Sequence, residues 1–130
     1  MNNSDPIIRV EEVNKAFSGH SVLRGINLDV EPGKTTVIIG PSGCGKTVLL
    51  KHMIGLIRPD RGRVYFHGQE ISSMDEHALV PVRRRMGFLF QGGALFDSMT
   101  VTQNIFFPME EHGVGSAEER IRRSHEVLAM

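Results

Sequence analysis

Residues Gly40-Pro41-Ser42-Gly43-Cys44-Gly45-Lys46-Thr47 bring three glycines, a lysine and a hydroxyl into one short run. The run fits the pattern G-x-x-x-x-G-K-[ST] at every fixed position. Glycines allow a backbone to turn several N–H groups toward one point. A helix beginning beside them adds the positive end of its dipole, and the combination suits a polyphosphate anion. Lys46 supplies a full positive charge for the outer phosphates, and the Thr47 hydroxyl is a suitable Mg²⁺ ligand. Cys44 occupies a free position of the pattern. It reads either as a small tolerated residue or as a thiol made more acidic, and so more oxidisable, by the helix start.

The loop needs a strand to deliver it and a helix to follow it. Residues 35–39 are β-branched and nearly continuous in apolar character, which predicts a strand buried on both faces and running into Gly40. Residues 46–56 carry Leu49, Leu50, Met53 and Ile54 at helical spacing, with Ile57 just beyond. Upstream, residues 7–13 and 22–30 read as strands around a Ser18-Gly19-His20 turn, with a tight turn at Glu31-Pro32-Gly33-Lys34. Downstream, Pro59-Asp60-Arg61-Gly62 is a turn, residues 63–66 a strand and His67-Gly68 its close. Ser73-Met74-Asp75-Glu76 fits a capping box and predicts a helix over about 74–85. Arg83-Arg84-Arg85 falls at its C-terminal end, where the dipole favours cations; a phosphate or lipid-headgroup contact is the alternative. Residues 86–90 read as a second buried strand. Thr100 and Gln103 frame a capping box for a helix that Pro108 ends. Ser116 and Glu119 frame another, for a helix still running at Met130. Phe96, Met99, Ile105, Phe106, Phe107 and Met109 are either core or a groove for a partner's helix.

Composition narrows the function classes. Fifteen basic residues balance 15 acidic ones among 130. Binding to nucleic acid driven by net charge is therefore not expected. A single cysteine excludes an internal disulfide and fits a reducing compartment. No basic patch precedes an apolar run at the start, so no secretory signal is read. The best apolar stretch, 48–57, is interrupted by Lys51 and His52 and falls well short of the roughly 18 residues of a membrane span. Any membrane work needs a partner. The six histidines have no metal-ligand spacing.

Three further features go with the loop. Phe17 precedes Gly40 by 23 positions, Gln91 follows Lys46 by 45, and Gly62-Arg63-Val64-Tyr65-Phe66-His67-Gly68 makes a β-rich return. With the lead-in Leu23-Arg24-Gly25-Ile26-Asn27-Leu28-Asp29-Val30-Glu31-Pro32-Gly33, the chain resembles the ATP-binding-cassette (ABC) transporter ATPases. The resemblance implies an α/β fold: a P-loop NTPase core with an N-terminal antiparallel β subdomain, truncated inside the helical subdomain. It implies that Phe17 stacks on adenine. It also implies nucleotide contacts from Gly40, Pro41, Ser42, Gly43, Cys44, Gly45, Lys46, Thr47, Val48 and Gln91, with Thr47 and Gln91 also on Mg²⁺. ATP and Mg²⁺ are the implied cofactors. The implied partners are an integral-membrane permease subunit and a second ATP-binding subunit, a homodimer in the full-length protein. The implied place is the inner face of the bacterial cytoplasmic membrane. Within the family, Val82 through Val101, and Gln91-Gly92-Gly93-Ala94-Leu95-Phe96 above all, resemble the bacterial ATPases that move phospholipids between membranes, the lipid-asymmetry or toluene-tolerance type. An ATPase of another importer is the alternative.

The resemblance covers residues 1–130 but about the first half of the family's domain. No apolar run ending in Asp-Glu follows Gln91, no Leu-Ser-Gly-Gly run occurs, and no switch histidine can be assigned. No catalytic residue is therefore assigned, the general base being absent. The family hydrolyses ATP between two domains. The expectation is a parent protein that is an ATPase and a 130-residue chain that does not hydrolyse ATP alone. A non-hydrolytic nucleotide-binding module ending at Met130 is the competing reading. A GTPase or small-molecule kinase is disfavoured, because no Asn-Lys-x-Asp run is present.

Overall fold

Val10 and Val13 are fully buried and mark the inward side of β1 (Ile8–Phe17), the central strand of the sheet. In the computed structural model, which describes residues 5–93 and 95–130, the chain forms two units dividing between Phe88 and Leu89. The first unit holds a four-stranded antiparallel sheet of order β2-β1-β3-β4, with β2 at His20–Val30, β3 at Arg61–Phe66 and β4 at Gln69–Glu70. Arg9 pairs with Asp29 on one side and Tyr65 on the other. The register shifts between Val10 and Val13, where Glu12 takes φ 48°. This bulge lets both valines face inward although they are three apart. The antiparallel β subdomain read from the sequence is thus present, with strands longer than the apolar runs suggested.

Two helices cover the sheet. Leu49 and Met53 of α1 (Lys46–Met53) and Leu79 and Val82 of α2 (Glu76–Arg83) join Val10, Val13, Val64 and Phe66 in one core. The sequence extends α1 to residue 56, but it stops at Met53. Gly55 takes φ 69° there, its N–H donates to His52 O and Leu56 N–H donates to Lys51 O. That is a Schellman stop. A Cβ on Gly55 would stand 2.9 Å from Leu79 Cδ2, so the same glycine lets α2 approach. Helix α2 also starts later than expected. Asp75, not Ser73, is its N-cap, accepting from Ala78 N at 2.8 Å. Residues 71–74 are held as a turn by Met74 N–H on Ile71 O, while Arg58 Nη2 donates to Met74 O.

Two expected strands are corrected. Residues 35–39 enter no helix or sheet, and no described strand pairs with them. Val37 is 71% and Ile39 90% exposed, and of the apolar residues there Ile38 alone packs on the core. Residues 86–90 likewise stand outside the sheet, with Leu89 83% exposed. A strand buried on both faces needs neighbours along both edges and cover above and below. The described residues supply neither.

The second unit is a pair of helices, α3 (Val101–Glu111) and α4 (Ala117–Leu128). Both open with the capping boxes read from the sequence, Thr100 with Gln103 and Ser116 with Glu119. Pro108 does not end α3. It removes only its own donor, and its carbonyl still accepts from His112 N at 3.2 Å. Helix α4 spans Ala117–Leu128, and Ala129 N still donates to His125 O in the pattern of a helical turn.

The two candidate caps of α2 separate by mutation. Asp75→Ala should lower the stability of the unit by about 1 kcal/mol, whereas Ser73→Ala should stay within about 0.5 kcal/mol. Denaturant titration of both variants checks this, and a larger loss for Ser73→Ala would restore the earlier helix start.

Candidate functional site

Loop 40–47 lies in the first unit and opens directly into α1. Gly45 is the N-cap at φ 100°, and its carbonyl accepts from Leu49 N at 2.8 Å. A Cβ on Gly45 would stand 2.9 Å from Val22 Cγ1 and 3.0 Å from Leu23 Cδ2. Glycine is therefore required both by the conformation and by the approach to β2. The N-terminal amides of α1 have no side-chain cap, and its first turn holds no acidic residue. Free N–H groups without a competing carboxylate are what an incoming anion uses.

Lys46 bends back over the loop. Its Nζ donates to Gly40 O and Pro41 O, both at 2.7 Å, and lies 3.7 Å from Cys44 Sγ. The ammonium is thus centred on the loop that precedes it. Cys44 is exposed, and its N–H reaches Pro41 O at 3.4 Å. Thr47 is exposed in the first turn of α1, and Val48 is half-buried against the core.

Phe17 ends β1, pairs with His20 at the hairpin and keeps its ring partly open, at 42% exposure. Two residues beyond His20, Val22 touches Gly45. One hairpin therefore carries the aromatic residue and buttresses the loop. Lys15 Nζ lies 5.6 Å from the Phe17 ring centroid. It donates to Asp60 Oδ1 at 2.7 Å and to Arg58 O at 2.9 Å, while Ala16 N donates to Asp60 Oδ2 at 2.8 Å. The Lys15 hydrogen bond, then the Ala16 amide, hold the Asp60 carboxyl below its usual range. No sequence pattern singled out this clasp.

Gln91 belongs to the second unit, where it is exposed in a turn with Gly92 and Gly93. Phe17 and loop 40–47 thus stand on connected elements of the first unit, and Gln91 belongs to the second. Asn104, which the sequence did not single out, fastens the chain after Gln91. Its Oδ1 accepts from Phe96 N at 2.7 Å, and its Nδ2 donates to the carbonyls of Phe96, Met99 and Thr100. Ala94 of the Gln-Gly-Gly-Ala-Leu-Phe run lies outside the described residues. Phe96 packs against Phe107 in a tilted arrangement, 4.7 Å between centroids. Arg83 donates to the carbonyls of Ile54 and Gly55 and to Glu76, so it ties α2 to the end of α1. Arg85 lies 5.0 Å from the Phe66 ring centroid.

The sequence profile described as ABC transporter matches residues 23–130. The chain belongs to the ABC transporter family. Among its relatives is the methionine import ATP-binding protein MetN of Brucella abortus, 41% identical over 127 residues, which are 98% of this chain and 34% of that protein. Another is the intermembrane phospholipid transport system ATP-binding protein MlaF of Haemophilus influenzae, 42% identical over 106 residues, 82% of this chain and 40% of that one. The fold matches the dimeric post-hydrolysis state of the ATP-binding cassette MJ0796 bound to ADP and Pi, with a TM-score of 0.85 at 30% identity. That match covers 94% of this chain and 56% of the cassette. The chain thus spans about a third of the length of its methionine-import relative. ABC cassettes are the expected fold class, and the α/β reading stands. No helix among the described residues is long and apolar enough to cross a membrane.

His52, near the end of α1, is 1% exposed; its Nδ1 lies 2.7 Å from Val48 O, and its Nε2 has no partner. Burial, foremost, pushes its pKa below the ordinary value. The unfolded chain therefore takes up a proton that the folded chain resists. Stability should be full above pH about 6.5 and fall as the pH drops from there through the lowered folded value. Denaturation midpoints against pH check this, with His52→Gln flattening that step. Gly45→Ala should cost at least about 1–3 kcal/mol, because it adds strain and a clash at once. Gly43→Ala, at φ 78° with nothing within 4 Å, should cost less; equal melting losses would contradict the packing argument.

Proposed function

We propose that this chain carries the nucleotide-binding part of an ABC transporter ATPase that energises phospholipid movement between bacterial membranes. The observation that carries the nucleotide reading is the 40–47 loop, with its glycine N-cap, its inward-bent Lys46 and the uncapped amides of α1. In this reading residues Gly40 through Thr47 and Val48 contact the phosphates of ATP, all but Pro41 having a backbone N–H to donate. Lys46 moves its donors from loop carbonyls to phosphate oxygens, and Phe17 stacks on adenine.

The Thr47 hydroxyl and the Gln91 side-chain carbonyl are hard oxygen donors, the chemistry Mg²⁺ selects. They are the residues assigned to hold it. Bound with ATP, Mg²⁺ would offset charge on the phosphates. A second ATP-binding subunit and an integral-membrane permease complete the assembly, on the inner face of the cytoplasmic membrane. The dimeric cassette MJ0796 supports the pairing. Gln91 and the Asn104-fastened segment behind it are the proposed route from nucleotide to permease. Exposed Phe96, with the half-buried Met99, Ile105, Phe106, Phe107 and Met109, is the proposed seat of a permease helix. Hydrolysis belongs to the assembled transporter rather than to residues 1–130 alone, since no general base is assigned within them.

The phospholipid assignment rests on the Gln91-to-Phe96 run and on the likeness to MlaF. A methionine-type importer is the second reading, favoured by the longer match to MetN. Reconstituting the assembled transporter in vesicles separates them. ATP-dependent movement of labelled phospholipid, absent with Lys46→Ala, supports the first. Methionine uptake with no lipid movement overturns it. Lys46→Ala should also weaken ATP binding by at least about tenfold, since it removes a charge-assisted contact worth roughly 1.5–3 kcal/mol. Unchanged ATP affinity would remove the nucleotide reading itself.

A further inference from the structure

Phe17 is held from behind. Residues 14–16, which lead into it, are pinned by the stretch between α1 and β3. Asp60 N donates to Asn14 O at 2.9 Å, and the two Asp60 carboxylate oxygens take Lys15 Nζ and Ala16 N at 2.7 and 2.8 Å. Asn14 also pairs with Arg61 across the sheet. The Lys15 side chain is only 16% exposed, and the Arg58 carbonyl accepts a second hydrogen bond from its ammonium. It therefore has little freedom, and it sits 5.6 Å from the centre of the Phe17 ring. A constrained cation on an aromatic ring attracts the ring's π-density and fixes its orientation. Phe17 as a residue is still 42% exposed.

We propose that Lys15, clasped by Asp60 and the Arg58 carbonyl, is a positioning residue for a purine base. It holds the Phe17 ring on one side so that the open side forms a preset stacking surface. This rests on the reading of Phe17 as the base platform. Lys15 does not touch nucleotide in this account. Its effect passes through the ring, and a ring already oriented loses less freedom when a base stacks on it.

The test uses the full chain with two probes, ATP and inorganic tripolyphosphate, which lacks the base. Lys15→Met should weaken ATP binding roughly three- to tenfold, the range of a partly desolvated cation–π contact. Tripolyphosphate binding should stay unchanged. In a Phe17→Ala background, Lys15→Met should have no further effect on ATP. If it weakens both probes alike, or weakens ATP equally with and without Phe17, or leaves ATP binding unchanged, the proposal is overturned. Phe17→Ala alone separates the two levels. Unchanged ATP affinity there defeats the base-platform reading and the proposal with it, whereas weakened affinity beside a silent Lys15→Met defeats the proposal only. Should Lys15→Met fail to fold, Asp60→Asn releases the clasp while keeping the ammonium. It carries the same comparison with the same outcomes.

Discussion

The contact of Gly45 with Val22 and Leu23 is the constraint from which most of the first unit follows. At φ 100° the chain makes a turn that a side chain would resist, and at 2.9 Å from Val22 Cγ1 there is no room for one. This bend starts α1 at Lys46, aims its free amides and presses the loop against the sheet. The pressed strand is β2, and at the same end of the hairpin β1 presents Phe17 opposite His20. The spacing between aromatic and loop is therefore set by sheet register, which is stiff, rather than by the connecting residues 31–39. Residues from two stretches of sequence share one scaffold because a missing Cβ lets them touch.

Electrostatics around that scaffold are arranged without strong burial of charge. Lys46 is satisfied by two neutral carbonyls, so an arriving phosphate replaces weak acceptors with a charged one. That exchange gains more than meeting a lysine already paired with a carboxylate. His52 lies on the dry side of the same helix and takes the opposite solution, staying neutral with one ring nitrogen unpartnered. A helix that is polar at its start and dry at its end places the one against ligand and the other against core.

The local structure of the 40–47 loop was legible in the sequence. The run 40–47 specified its turn because Gly43 and Gly45 supply the positive φ angles, 78° and 100°, that the turn needs. The capping boxes at Thr100 and Ser116 formed as read, since each is a local exchange of two hydrogen bonds. The failures have a common cause. Residues 35–39 and 86–90 have the composition of inner strands, but composition cannot supply neighbours, and none of the described strands pairs with them. Gly55 ended α1 early because its approach to Leu79 is a tertiary requirement. The Lys15–Asp60 clasp joins residues 45 apart, and the fourfold grip of Asn104 depends on a loop closing around it. Neither follows a short repeat that a scan along the chain would register.

The open segment 35–39 has a consequence for how the molecule behaves in solution. Thr35-Thr36-Val37-Ile38-Ile39 is uncharged and rich in β-branched residues, contains no proline, and turns Val37 and Ile39 to solvent. Such a segment is a template on which another extended chain can add. Any strand that pairs with it acts as its guard. Without such a strand, the same five residues would make purified material stick to itself more as it is concentrated. A lysine or glutamate at position 37 or 39 would then improve solubility, at the expense of the pairing that the segment's composition favours.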